Sequence, residues 1–188
     1  MMETISDIQG VMVYVAGFLP EEAEAGQNKA QSMAVRRLVR EVLGREAVLT
    51  HRPDGSPAIE GSDVEVSVSH TSGLAVLAVG GRMRIGVDVE LPRATLRRVA
   101  RKFLSASEMD VWVSDSDLHR AWTIKEALYK AAGCSGVDFA NDVVLPGKED
   151  GFPVGKVVDR DRKETCYEVH STPYGEACIT VACPLNQD

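Results

Sequence analysis

The sequence predicts an α+β fold. Strand-like runs crowd both ends of the chain, stretches of helical periodicity lie between them, and strands and helices do not alternate in a regular βαβ pattern. At 188 residues the chain makes one domain of ordinary size or two small lobes sharing a core. Apolar residues at 44% and charged residues at 26% give a globular balance, and a chain of this length buries a core without disulfide staples.

Taken in order, residues 11–18 are rich in Val and aromatic side chains and read as a strand. Residues 21–43 read as a helix, with Val35, Leu38 and Val42 at three- and four-residue steps and Gly44 as the stop. The run Arg52-Pro-Asp-Gly-Ser-Pro57 is turn-forming. Residues 64–68 alternate and suit a half-exposed strand, and 74–79 are continuously apolar, as in a buried strand. Gly80-Gly81 predicts a turn back into 83–89, making 74–89 a hairpin. Residues 94–104 read as a short basic helix, and Ser105 with Glu108 has capping-box spacing. Residues 118–132, closed by Gly133, form the clearest helix, and strands follow at 143–145, 154–158, 166–170 and 177–183.

The net charge of −7 argues against non-specific nucleic-acid binding, which depends on neutralising phosphates. No segment has the apolar length of a membrane span, and the first residues carry no basic stretch of the kind that opens a secretory signal. The four cysteines, Cys134, Cys166, Cys178 and Cys183, form no C-x-x-C pair and have no histidine at zinc spacing. A reduced, cytoplasmic protein is expected.

Two groups of residues carry chemistry. In the strand ending Arg84-Ile-Gly-Val-Asp-Val-Glu90, Asp88 and Glu90 share one face while Val87 and Val89 face a core. Gly86 lies on the carboxylate face and is expected to leave room for a ligand close to the backbone. Paired carboxylates repel unless a cation joins them, and oxygen ligands suit Mg²⁺. Alone, the pair reads equally as a solvated strand end. In the helix around Ala121–Gly133, Ile124, Leu128 and Ala131 make an apolar stripe, and Trp122, Glu126 and Lys130 make a second one. Glu126 and Lys130 read either as a surface ion pair or as a metal-binding acid beside a phosphate-binding lysine.

Ile85-Gly-Val-Asp-Val-Glu90 followed by Trp122-Thr-Ile-Lys-Glu-Ala-Leu-Tyr-Lys130 resembles the two signature motifs of the 4′-phosphopantetheinyl transferases. Gly55-Ser-Pro57, Ser67-Val-Ser-His-Thr71 and Phe103-Leu-Ser-Ala-Ser-Glu108 resemble further pieces of the larger, Sfp-type branch. The resemblance covers residues 30–135 best. It implies two similar α+β lobes with pseudo-twofold symmetry around a coenzyme A cleft, here 1–80 and 81–188, with the second carrying both motifs. It implies transfer of the phosphopantetheine arm of coenzyme A to a serine of an apo carrier protein, with Mg²⁺, releasing adenosine 3′,5′-bisphosphate. A monomer is expected to be complete.

Carried over residue by residue, Asp88 and Glu126 match the metal-binding acids, and Glu90 matches a third acid whose role varies in the family; all three are expected to hold Mg²⁺. Glu126 also matches the general base, and the sequence leaves open how one carboxylate divides the two tasks. Lys130 matches the lysine at the leaving phosphate, and Lys125 takes a secondary part. His70 matches a histidine contacting coenzyme A phosphate, and Ser69 before it is expected to belong to the same coenzyme A site. The family's lysine between Gly55 and Pro57 is here Ser56. Unless Arg52, Lys29, Arg36 or Arg37 supplies the charge, the 3′-phosphate should matter less and dephospho-coenzyme A should compete well. The cluster Arg93, Arg97, Arg98, Arg101 and Lys102 is either a solvated face or a docking site for an acidic carrier.

Two rival classes are weaker. A Nudix-like pyrophosphatase is matched at Gly26 and Arg40-Glu41-Val42, but Ser32, Gly44 and Arg45 stand where that box needs carboxylates. A binding module without turnover would have no use for Asp88, Glu126 and Lys130.

Overall fold

Residues 2–8, 10–148 and 153–185 are described by the structure, a computed structural model. The first strand expected from sequence is the second to form. β1 (Met2–Ile8) precedes it and pairs antiparallel with β2 (Val11–Gly17). The expected helix over 21–43 is two helices, α1 (Pro20–Glu24) and α2 (Gln27–Leu43). Gly26 separates them at φ 85°, a backbone conformation outside the helical region that glycine adopts at little cost. The turn run around Asp54 joins two short strands, β3 (Leu49–His51) and β4 (Pro57–Ile59). Then come β5 (Val66–Thr71), β6 (Leu74–Val79) and β7 (Gly86–Glu90).

The hairpin expected over 74–89 does not form. β6 pairs with β2 and β5, whereas β7 pairs with β11 (Ala177–Pro184) in a different sheet. After β6 the amide of Gly80 donates to the Glu65 carbonyl and the carbonyl of Gly81 accepts from the Glu65 amide, so the chain stays beside β5 before crossing over. Ile85 buries on the far side of that crossing.

The basic segment forms α3 (Leu96–Val99) and a 3₁₀ turn over Ala100–Lys102. α4 (Ala106–Val111) opens on the expected capping box, in which Ser105 Oγ accepts from the Glu108 amide and Glu108 accepts from the Ser105 amide. α5 (Asp115–Ala132) opens on a second box, Ser114 with Asp117, and ends at Gly133 in the left-handed conformation. β8 (Val143–Val144), β9 (Val154–Val158) and β10 (Glu164–Tyr174) complete the order before β11.

Besides the two-stranded β3-β4 sheet, one larger sheet runs β1-β2-β6-β5 and the other β7-β11-β10-β9-β8, all ladders being antiparallel. Alternation assigns their faces. Val11, Val13, Val15, Val76 and Ala78 of the first sheet share a core with Val87, Val89, Ile179 and Val181 of the second. Each fully buried valine contributes about 1.5–3 kcal/mol relative to exposure. The opposite face of the first sheet carries α2 through Ala34, Leu38 and Val39, and that of the second carries α5 through Ile124, Ala127 and Leu128.

The two sheets also meet edge to edge. β7 is an edge strand, and its Val87 and Val89 amides would otherwise lack partners. Ser67 and Ser69, two apart on β5, supply hydroxyl acceptors at 3.0 and 3.3 Å. All four cysteines are free thiols. No helix among the described residues is long and apolar enough to cross a membrane.

Candidate active site

Helix α5 reaches β7 because the residues between them are small. Gly86 faces Ala127 and Ala131, and a Cβ built on Gly86 would lie 1.9 Å from the Ala127 carbonyl oxygen. The bare strand face expected to admit a ligand therefore admits the helix. That contact sets Glu126 and Lys130 beside the acids of β7.

Asp88 is buried and its two oxygens differ. Oδ1 accepts from the Ser69 hydroxyl at 2.8 Å and from the Lys130 ammonium at 2.7 Å. Oδ2 is buried with no hydrogen-bond partner among the described residues. Lys130 also donates to the Val87 carbonyl at 3.0 Å, so it spans strand backbone and carboxylate. Glu90 turns to Arg93, with which it forms an ion pair, and accepts from the Trp122 indole N–H at 3.2 Å. His119, not singled out in the sequence, donates from Nε2 to the Glu90 carbonyl at 2.8 Å and steadies the end of β7.

Glu126 is half-buried on the helix face that carries Trp122 and Lys130, and no described residue hydrogen-bonds or ion-pairs with it. Burial pushes its carboxyl above the ordinary glutamate value, and the negative charge of Asp88 adds to the rise, with Lys130 opposing it. Glu90 is raised in the same way, by burial first and then by Asp88, against the opposing charge of Arg93. Three acids thus lie within electrostatic reach of one another, and two of them resist ionising together.

Among the described residues no three His, Cys, Asp or Glu side chains are arranged as a ready metal cage. The donor set nevertheless fits a hard divalent cation. An unpartnered buried carboxylate oxygen on Asp88 and an unpartnered carboxylate on Glu126 are what such an ion would relieve. Mg²⁺ commonly takes one or two carboxylates plus substrate phosphates, so a full protein cage is not required.

A cavity of 570 Å³ adjoins this cluster, its wall including Arg52, Asp54, Ser56, Arg84, Tyr129 and Lys130. Lys130 belongs to both, which joins the acids to the cavity. Of the cations considered from sequence, Arg52 lines it. Arg37 is held by Glu22 and Glu41 instead. Arg84 and Asp54 were not singled out in the sequence. Arg84 lies two residues before β7, and its even-numbered spacing from Gly86, Asp88 and Glu90 is the sequence signal that could have drawn attention to it.

Ser69 points at Asp88 and the Val89 amide, and His70 sits exposed at the end of β5. Although much of its surface is exposed, His70 is lowered from the ordinary histidine value, chiefly by partial desolvation of the ring against neighbouring protein and further by the charge of Lys130. Lys125 lies elsewhere. Its side chain is fully buried, paired with Glu108 at 2.8 Å and donating to the carbonyls of Phe139 and Ala140.

None of the curated proteins compared with the chain matches it. A family model described as the 4′-phosphopantetheinyl transferase superfamily matches residues 84–182, more than half of the 188. The match begins at Arg84 and takes in β7, α5 and nearly all of β11.

Proposed function

The chain belongs to the 4′-phosphopantetheinyl transferase superfamily and is a transferase of the carrier-protein-activating kind, and on that premise we propose that it moves the phosphopantetheine arm of coenzyme A to a serine of an apo acyl, polyketide or peptidyl carrier protein. The observation that carries this reading is the Asp88–Lys130 pair, with Asp88 Oδ2 unpartnered and Glu126 one helical turn before Lys130, at the edge of a cavity sized for a nucleotide-bearing guest.

In the proposed reaction the serine oxygen bonds to the pyrophosphate phosphorus that carries pantetheine. The bond from that phosphorus to the bridging oxygen breaks, and adenosine 3′,5′-bisphosphate leaves. Glu126 accepts the serine proton. Its raised affinity for a proton suits a group that must take one up. Lys130 turns from Asp88 toward the leaving phosphate, where a compact ammonium charge meets the negative charge that develops. Asp88 and Glu126 would hold Mg²⁺, which when bound supplies charge neutralisation at the pyrophosphate. Ser69 acts by holding Asp88 Oδ1 so that Oδ2 stays available. Glu90, fixed by Arg93 and Trp122, contributes as the third acid by keeping the pocket negative. His70 would meet a coenzyme A phosphate, a reading supported by its exposure and by the influence of the Lys130 charge on it.

The reading extends to the Sfp-type branch, with lobes at 1–80 and 81–188 related by a pseudo-twofold axis, acting as a cytoplasmic monomer. What supports it is that each of the two sheets carries one long helix on its outer face. The test is mass spectrometry of apo carrier proteins incubated with the enzyme, coenzyme A and Mg²⁺. One added phosphopantetheine per carrier is expected. No gain on any fatty-acid, polyketide or peptide-synthetase carrier overturns the reading.

A further inference from the structure

Three cations line the cavity beside the acids: Arg52, Arg84 and Lys130. They are not equally free to take a ligand. Lys130 is committed to Asp88 and the Val87 carbonyl. Arg52 pairs with Glu65 at 2.6 Å and also donates to the Pro57 carbonyl at 3.0 Å. The Glu65 side chain is only 17% exposed, so withdrawing Arg52 would strand a poorly hydrated carboxylate.

Arg84 differs. Its one partner among the described residues is Asp54, through a single bond of 2.8 Å, and the two side chains are 31% and 37% exposed. Its other N–H donors have no acceptor there. Asp54 loses little on release, because its second oxygen keeps the Ser56 amide at 2.9 Å and the Ser56 hydroxyl at 2.7 Å. The guanidinium is held in place from below. It lies over Gly133 at the C-terminal end of α5, where a Cβ would fall 1.9 Å from its central carbon and where the helix presents its negative end. Gly133 is thus both a left-handed cap and the slot for Arg84.

We propose that Arg84 is the specificity-determining residue for the terminal phosphate monoester of the nucleotide substrate, and that Asp54 occupies it as an internal anion which that phosphate displaces. The proposal rests on the coenzyme A reading above and adds to it which cation answers for the lysine absent at Ser56. A planar guanidinium with several unused donors suits a phosphate monoester, which accepts two parallel bonds. Exchange replaces one carboxylate contact with a contact to a more highly charged anion. Ser56 keeps Asp54 bound in the turn through Oδ1, so releasing Arg84 frees only Oδ2.

The test is calorimetric binding of adenosine 3′,5′-bisphosphate and of adenosine 5′-monophosphate to the full chain and to Arg84→Gln, Arg84→Lys and Asp54→Asn. The wild type is expected to prefer the bisphosphate by about tenfold or more. Arg84→Gln should lose that preference with the monophosphate affinity unchanged, and Arg84→Lys should keep part of it. Asp54→Asn should bind the bisphosphate more tightly and the monophosphate as before. An Arg84→Gln protein that melts like the wild type and keeps the preference overturns the proposal. If Arg84→Gln does not fold, Asp54→Asn decides, and unchanged or weaker bisphosphate binding overturns it. A wild type that binds both nucleotides equally sinks this inference alone. One that binds neither sinks the coenzyme A reading and this inference with it.

Discussion

Gly86 and Ala127 touch backbone to backbone, and that contact builds the site. With hydrogen alone on Gly86, the Ala127 carbonyl comes close enough that a Cβ would meet it at 1.9 Å and the Ala131 amide nitrogen at 2.6 Å. Neither is a flexible side chain that can turn away. Gly86→Ala must therefore push α5 off β7, and with it Glu126 and Lys130 away from Asp88. We expect a loss of about 3 kcal/mol or more in urea unfolding, at or above the upper end of ordinary overpacking. Transfer activity should fall with it. A Gly86→Ala protein with wild-type stability would show that the helix approaches less closely than described.

The serines of β5 give a graded test of the edge-to-edge seam. Among the described residues the Ser67 hydroxyl bonds only the Val87 amide, whereas Ser69 accepts the Val89 amide and donates to Asp88. Removing either hydroxyl leaves a buried amide without an acceptor, at a cost of about 1–3 kcal/mol. Ser67→Ala should lower stability and leave turnover per folded molecule nearly intact. Ser69→Ala should lower both, because Asp88 loses one of the two groups that orient Oδ1. Equal turnover in the two variants would remove Ser69 from the site.

The contrast between these serines and the acids shows what a sequence reader can reach. Asp88 with Glu90, and Glu126 with Lys130, are local periodicities on one strand and one helix, so their shared faces follow from spacing alone. The capping boxes at Ser105 and Ser114 are local in the same sense. Which sheet β7 joins is not local. Its ladder partner Ala177–Pro184 lies about ninety residues on in the chain, and the Gly80-Gly81 pair reads as a hairpin turn unless that distant strand is known. The Gly86 gap was legible, but its occupant was not, since a bare strand face looks the same whether a ligand or a helix fills it. The Asp54–Arg84 pair joins a turn to the segment just before β7, 30 residues away, and no periodicity connects them. β1 was missed because polar residues interrupt its alternation.

Glu126 predicts a divergence between stability and activity. Its folded-state proton affinity is raised, so the folded protein binds the proton more tightly than the unfolded chain does. Stability contributed by this group is present below the ordinary glutamate value, 4.5, and is lost as pH rises from there through the raised folded value. In EDTA, Glu126→Gln should therefore melt higher than the wild type at pH 8, and the gap should close toward pH 4.5. The same variant should lose about 10²- to 10⁴-fold in transfer rate as a lost general base. With Mg²⁺ and adenosine 3′,5′-bisphosphate the wild type should gain melting temperature and Glu126→Gln should gain less. A variant that melts below the wild type at pH 8 in EDTA would contradict the electrostatic account of the site.

Lys125 stands next to Glu126 in the motif, yet its task is different. Its side chain is fully buried and is lowered from the ordinary lysine value by desolvation, with Glu108 pulling the other way. Glu108 is in turn shared between the Ser105 amide, the Leu145 amide and Lys125. The pair therefore ties the start of α4 and the segments at 139–140 and 145 to α5. Lys125→Met removes one buried partner and leaves the other charged, which costs about 3–5 kcal/mol. Replacing both, Lys125→Met with Glu108→Gln, leaves no stranded charge and should recover part of that loss, although the amide keeps fewer of the carboxylate's bonds. Turnover per folded molecule should stay within about a few-fold of wild type in whichever variant remains folded, because neither group faces the cavity. A folded Lys125→Met protein whose kcat falls as far as that of Lys130→Met, with coenzyme A KM unchanged, would instead place Lys125 among the groups that meet the substrate.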